Sequence, residues 1–216
     1  MSESIPAVLA RWAAGLRYDD VDSDAIHHAK RLLLDTVGCA LGGFEDEDTS
    51  NVLGVVQECA GDGPCTVVGS GAKVDPVSAG LANALMVRAL DFNDIYWRQD
   101  PCHPSDLIPA AMATCERADL DARDLLLGVV LGHEIMMRFA EAARPGIRER
   151  GWHHATLTAL VAPLVAGRLL GLEAERIQHA IGLGAARQAT FGAVTAGELS
   201  TDRKSTRLNS SHTHLS

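Results

Sequence analysis

The residues best suited to chemistry stand where an apolar stretch gives out. Leu90-Asp91-Phe92-Asn93-Asp94-Ile95-Tyr96-Trp97-Arg98-Gln99-Asp100-Pro101-Cys102-His103-Pro104-Ser105 gathers carboxylates, aromatics and a histidine. A second polar cluster, Arg148-Glu149-Arg150-Gly151-Trp152-His153-His154, lies ahead of another strongly apolar run. Histidine is the side chain whose ordinary pKa lies nearest neutrality, and junctions held by a rigid scaffold commonly carry catalytic groups. Two histidine-bearing junctions on one helical chain therefore predict one shared site for proton transfer.

The other candidate sites are weaker. His133-Glu134 invites a zinc-protease reading, but His-Glu-x-x-His needs a histidine where Met137 stands. His27, His28 and His179 fall on helical faces and are expected to be solvated or structural. Gly69-Ser70-Gly71 does not follow a clear strand into a helix, so it predicts no phosphate cradle. Cys39, Cys59, Cys65, Cys102 and Cys115 are odd in number and contain no Cys-x-x-Cys pair. That spacing argues against a structural zinc site, an iron–sulfur cluster and a secreted disulfide framework, and predicts reduced thiols.

Helices must position these junctions. Ser23 is read as the cap of a helix carrying Ile26, Ala29, Leu33, Val37 and Ala40 on one stripe, ended by Gly42-Gly43. Further helices are expected over Asp48 to Cys59, from Asp75-Pro76 to the Asp91 junction, over Asp106 to Arg117, and from Leu125 to Ala142. The stretch from His154 to Leu170 is apolar nearly all round, the mark of an interior helix, although it contains Pro163. Glu173 to Gln188 makes one more. Cys65-Thr66-Val67-Val68 is the one plausible strand, so the fold class is all-α.

The composition changes near Ser200. Asp202 to His212 is, without mismatch, the translation of a widely used sequencing-library adapter, so residues 201–216 are expected to be a non-native, disordered tail. Residues 1–200 are then the N-terminal part of a helical domain whose natural sequence continues. Setting aside Arg203, Lys204, Arg207 and Asp202 leaves 16 basic and 27 acidic residues, a net charge of −11. So acidic a chain, with no basic stripe, is a poor partner for nucleic acid. No run approaches the roughly twenty apolar residues of a membrane span, and Met1 to Arg11 lacks a signal-peptide pattern. The expectation is a cytoplasmic protein without a membrane partner.

Four short motifs, in order, resemble the MmgE/PrpD family: Asp35-Thr36-Val37-Gly38-Cys39-Ala40-Leu41-Gly42-Gly43, then Ala82-Asn83-Ala84 leading into Ala89-Leu90-Asp91-Phe92-Asn93-Asp94, then His103-Pro104-Ser105, then Gly151-Trp152-His153. The family includes 2-methylcitrate dehydratase, cis-aconitate decarboxylase and iminodisuccinate epimerase. The resemblance implies a large all-helical domain followed by an α+β lid domain, here cut off before the lid, and a homodimer as the full-length protein. It places Asp91, His103 and His153 at catalytic positions, with Asp94, Ser105 and His154 as substrate-binding neighbours and no metal or other cofactor.

Eliminating water from a citrate-like acid needs a base for the proton beside a carboxylate, an acid for the departing hydroxyl, and cations for the carboxylates. His103 and His153 are assigned to acid and base in either order, with Asp91 orienting one imidazole. Asn93 replaces an acidic residue often found in the family, and Ile95 stands where decarboxylase relatives tend to carry threonine. A lysine expected shortly after Ser200 is missing, and Lys204 is a coincidence of translation. The leading reading is the N-terminal portion of a dehydratase, inactive by itself and either aggregation-prone or partnered. A decarboxylase or epimerase acting on a related acid is the alternative, and a non-catalytic helical interaction protein is the rival from another class.

Overall fold

A computed structural model describes residues 3–187. These residues form eight α-helices: α1 Ile5–Gly15, α2 Ser23–Gly42, α3 Glu47–Cys59, α4 Pro76–Ala89, α5 Ile108–Ala118, α6 Ala122–Ala142, α7 Thr156–Leu169 and α8 Ala174–Arg187. The extended structure among them is two antiparallel ribbons of two-residue strands. β1 (Cys65–Thr66) pairs with β2 (Lys73–Val74), and β3 (Tyr96–Trp97) pairs with β4 (Pro101–Cys102). The all-α expectation holds. The tail, residues 201–216, lies outside the described residues.

Side-chain caps explain where α2, α3, α4 and α6 begin. Asp22, Asp46, Asp75 and Asp121 each accept a hydrogen bond from a backbone N–H of the first turn, offsetting orphan donors and placing negative charge at the positive end of the helix dipole. Asp22, not Ser23, caps α2: its carboxylate lies 2.8 Å from the amide of Asp24, and Ser23 is the first helical residue.

α1 carries little signal in the sequence. Its apolar stripe is short and made mainly of alanine, but Ser4 caps it and Pro6 occupies its first turn. Ala10 and Ala13 are buried against the main core, and Arg168 of α7 donates to the Leu16 carbonyl at 2.9 and 2.7 Å.

That core joins α6 and α7 through Leu131, Ile135, Met136, Val161, Leu164 and Val165, with Ile177 and Ile181 of α8 on one side. A second cluster links α2, α3 and α4 through Ala40, Val56, Ala82 and Met86. A third, with Ile26, Ala29, Ile108, Leu126 and Val129, ties α2 to α5 and α6.

The proline inside α7 has a local accommodation. Pro163 has no N–H to offer the carbonyl of Ala159 one turn earlier, so that carbonyl is released from the helical ladder. Gly184 of α8 packs directly against it: a Cβ at position 184 would lie 2.2 Å from the Ala159 oxygen. The interior character expected of this helix is also seen, with Leu157, Val161, Leu164, Val165 and Leu169 buried.

Candidate functional site

α4 ends in the first polar junction. Its last residues bury Met86, Val87 and Ala89, and Asp91 then adopts a left-handed φ of 50°, which breaks the helix and turns the chain sharply. Asn93 and Asp94 pass inward beneath the surface. The β3–β4 ribbon carries the chain out and back, and the 3₁₀ turn Pro104–Leu107 leads into α5. Strands of two residues are too short for an alternating pattern, so this ribbon was absent from the sequence reading.

His103 stands at the end of the ribbon, and its Nδ1 lies 2.6 Å from the main-chain carbonyl of Asp94. A carbonyl only accepts, so Nδ1 carries the proton and the lone pair of the neutral ring is on Nε2. Burial lowers the His103 pKa first, reinforced by Arg88, against the opposing pull of Asp91 and Asp94.

The second junction, ahead of α7, approaches the first through His154. That ring packs 4.9 Å from His103 and 3.9 Å from His153, centroid to centroid. Burial drives His154 down to about 2, with help from neighbouring His153 and His103, so it stays a neutral imidazole throughout the working pH range. The Ala155 amide donates to Nδ1 of His153 at 3.2 Å. Since that nitrogen accepts, a neutral His153 carries its proton on Nε2. The two outer histidines thus have opposite tautomers.

The junctions are pinned to each other elsewhere too. Asp100, 4% exposed in the turn of the ribbon, accepts a hydrogen bond from the amide of Ile147 just before the second junction.

Around the imidazoles runs a polar network. Arg88 donates to Asn93 at 2.8 Å, Asn93 donates to the Ser105 hydroxyl at 2.8 Å, and the Ser105 amide donates to Asp94 Oδ1 at 3.1 Å. Arg88 also pairs with Asp91 at 3.0 Å and approaches Asp106 at 3.8 Å. Burial pushes the Asp106 carboxyl up to about 7 despite Arg88, with Asp94 and Asp91 adding to the rise. Burial pulls the same way on Asp94, but hydrogen bonds from His133 and Ser105 outweigh it and hold that carboxyl below its ordinary value.

Asp91 was expected to orient an imidazole. Instead its carboxylate is largely exposed and paired with Arg88, and the group set against His103 Nδ1 is the Asp94 carbonyl. Asp94, Ser105 and His154, expected to touch substrate, are enclosed beneath the site, and Ser105 and Asp94 are engaged in internal hydrogen bonds.

Arg88 and Asp106 were missed. The one signal for Arg88 was a basic residue in the last turn of an apolar helix, three positions before Asp91. For Asp106 there was none, because its burial comes from tertiary packing. Among the described residues no group of three His, Cys, Asp or Glu side chains is placed to hold a metal ion, and no helix is long and apolar enough to cross a membrane.

The geometry defines a helical scaffold that brings histidines from two distant junctions together. The MmgE/PrpD N-terminal domain matches residues 7–209, and the chain belongs to the MmgE/PrpD family. It is 29% identical over 187 residues to cis-aconitate decarboxylase of Aspergillus terreus, covering 83% of this chain and 38% of that protein. It is 30% identical over 185 residues to 2-methylcitrate dehydratase of Salmonella typhi, covering 78% of this chain and 37% of that protein. The 2-methylcitrate dehydratase of Escherichia coli K12 matches at 29% over 185 residues. The chain therefore spans less than two fifths of the length of these curated relatives.

Proposed function

We propose that the chain supplies the proton-transfer half of a cofactor-free lyase that dehydrates a small polycarboxylate of the 2-methylcitrate type. The observation that carries this reading is the pair of opposite tautomers. His103 directs a lone pair from Nε2 and serves as the base. His153 keeps its proton on Nε2 and serves as the acid.

In the reaction, His103 takes the proton from the carbon beside a carboxylate, and the electron pair left behind forms the C=C bond. The bond to the hydroxyl breaks, and the hydroxyl leaves as water with the proton from His153. Arg88, 32% exposed in its side chain and acting electrostatically on both His103 and His154, is a cation placed to meet a substrate carboxylate, and Arg148 also acts on His154. The Asp94 carbonyl holds His103, and the Ser105 amide holds the Asp94 carboxylate in turn.

Elimination requires both an acid and a base, whereas decarboxylation of an unsaturated acid requires only that a proton be delivered to carbon. Two imidazoles of opposite sense therefore favour dehydration over the activity named for the fungal relatives. A non-catalytic scaffold has no use for such an arrangement.

The proposal extends to the whole protein. Residues 1–200 are the start of the helical domain, and residues 201–216 are excluded from it on their adapter identity, although the family match runs on to residue 209. The five cysteines, all unpaired, suit a cytoplasmic location. The exposed apolar residues Leu34 and Leu41 of α2 with Val77 and Leu81 of α4 suit a homodimer.

The test uses a protein extended to the relatives' full length. His103→Gln and His153→Gln should each lower kcat on 2-methylcitrate by about 10²-fold or more. Unchanged turnover in both variants would remove the proposed function.

A further inference from the structure

We infer that His133, on α6, is a positioning residue that forms a buried imidazole–carboxylate pair with Asp94 and thereby fixes the carbonyl against which His103 sets its tautomer. His133 and Asp94 have side chains only 9% and 13% exposed. Nδ1 of His133 lies 2.9 Å from the carbonyl of Val129, one turn back on the same helix. A carbonyl only accepts, so this nitrogen is the donor and the ring is locked to its own helix.

The other nitrogen, Nε2, is 3.3 Å from Asp94 Oδ2 and has no in-line hydrogen-bond acceptor among the described residues. The ring edge thus faces the carboxylate across a close buried contact between α6 and the loop that carries Asp94.

The consequence reaches His103 through a single residue. Asp94 is held at Oδ2 by His133 of α6, at Oδ1 by the Ser105 amide of the 3₁₀ turn, and at its main-chain oxygen by Nδ1 of His103. Fixing both carboxylate oxygens fixes the peptide plane that carries the carbonyl.

The pair also forms part of the wall of a cavity of about 300 Å³ between α2 and α6 whose lining includes Ala29, Leu32, Val130 and Met137. The bland alternative is that His133 merely fills space in α6. It predicts that any side chain of similar volume would serve.

Catalytic relevance rests on the reading of His103 as the base, but the test does not. Histidine-labelled ¹⁵N NMR of the chain reports which ring nitrogen carries the proton. In the unmutated chain, His133 should show a protonated Nδ1, and neutral His103 should be the Nδ1–H tautomer, the minor form of a free histidine in water. His133→Phe preserves a ring but removes both ring nitrogens, and His103 should then lose its Nδ1–H signature. His133→Gln places an amide donor near Oδ2 and should restore it.

Retention of the Nδ1–H tautomer by His103 in a folded His133→Phe chain overturns the inference. So does an unprotonated Nδ1 on His133 in the unmutated chain, which keeps the test decisive if the Phe variant fails to fold. Loss of the signature with no effect on turnover would instead leave the positioning intact and count against His103 as base.

Discussion

Replacing His154 by leucine should make the protein less sensitive to acid, by an amount the burial of this ring sets. His154 titrates at about 2 in the folded chain, chiefly through burial and then through His153 and His103, against an ordinary value of 6.5. Below 6.5 the unfolded chain binds a proton that the native chain refuses. The associated stability is present above that value and is lost as pH falls.

Integrating the difference in bound protons from pH 6.5 to 5.5 gives a loss of about 1 kcal/mol, and this figure does not depend on how far the folded value lies below about 4.5. Asp106 works in the opposite direction. Its folded value of about 7 exceeds the ordinary 3.8, so the native carboxyl keeps a proton that the unfolded one releases. Its contribution is present at low pH and is lost as pH rises through this window.

The two gradients offset each other in the unmutated chain, so one pH profile says little about either. The informative quantity is the stability gap between His154→Leu and the unmutated chain, measured by urea unfolding at pH 6.5 and again at pH 5.5. Any constant cost of the substitution cancels. The gap should move by about 1 kcal/mol in favour of the variant at the lower pH. A gap that stays put, or moves the other way, refutes the placement of His154 as a buried neutral ring.

Gly43 closes the contact between α2 and α4, where a Cβ would lie 2.3 Å from the Met86 carbonyl and 2.9 Å from the Ala89 Cβ. Gly43→Ala should therefore cost about 1–3 kcal/mol as overpacking, seen as a lower Tm by calorimetry, and an unchanged Tm would deny the close approach. Burial pushes the Cys102 thiol up to about 12 and the Cys115 thiol up to about 11, whereas Cys59 is exposed. Iodoacetamide at pH 8 should modify Cys59 in the native chain and reach the buried cysteines only on unfolding, and peptide mapping that found Cys102 labelled as quickly as Cys59 would contradict this.

The helices were legible because long apolar stripes, an aspartate before α2, α3, α4 and α6, and Gly42-Gly43 act within a few residues of one another. α1 escaped because alanines give a faint stripe, and the β3–β4 ribbon because strands of two residues have no period. The two histidine junctions were visible as polar breaks in apolar sequence, whereas the choice of His153 over His154 rests on the family resemblance.

What each ring nitrogen does was not visible. It depends on the Asp94 carbonyl and the Ala155 amide, backbone groups every residue possesses, whose placement is a product of folding. His133 was considered only as half of a zinc motif that fails, since nothing local connects it to Asp94, thirty-nine positions earlier. The contacts of Asp91 were equally invisible. It stands at the right place in the sequence, but its exposed carboxylate turns to Arg88.

The division of labour between His103 and His153 is tested most directly by changing the leaving group. In the protein extended to the relatives' length, His103→Gln and His153→Gln are compared on 2-methylcitrate and on an analogue carrying fluoride in place of the departing hydroxyl. Fluoride leaves without first being protonated, so the analogue needs a base but little help from an acid. The account predicts that His153→Gln recovers most of its lost kcat on the fluoride substrate while His103→Gln remains impaired by about 10²-fold or more. Recovery by His103→Gln instead, or by neither variant, would contradict the assignment of base and acid.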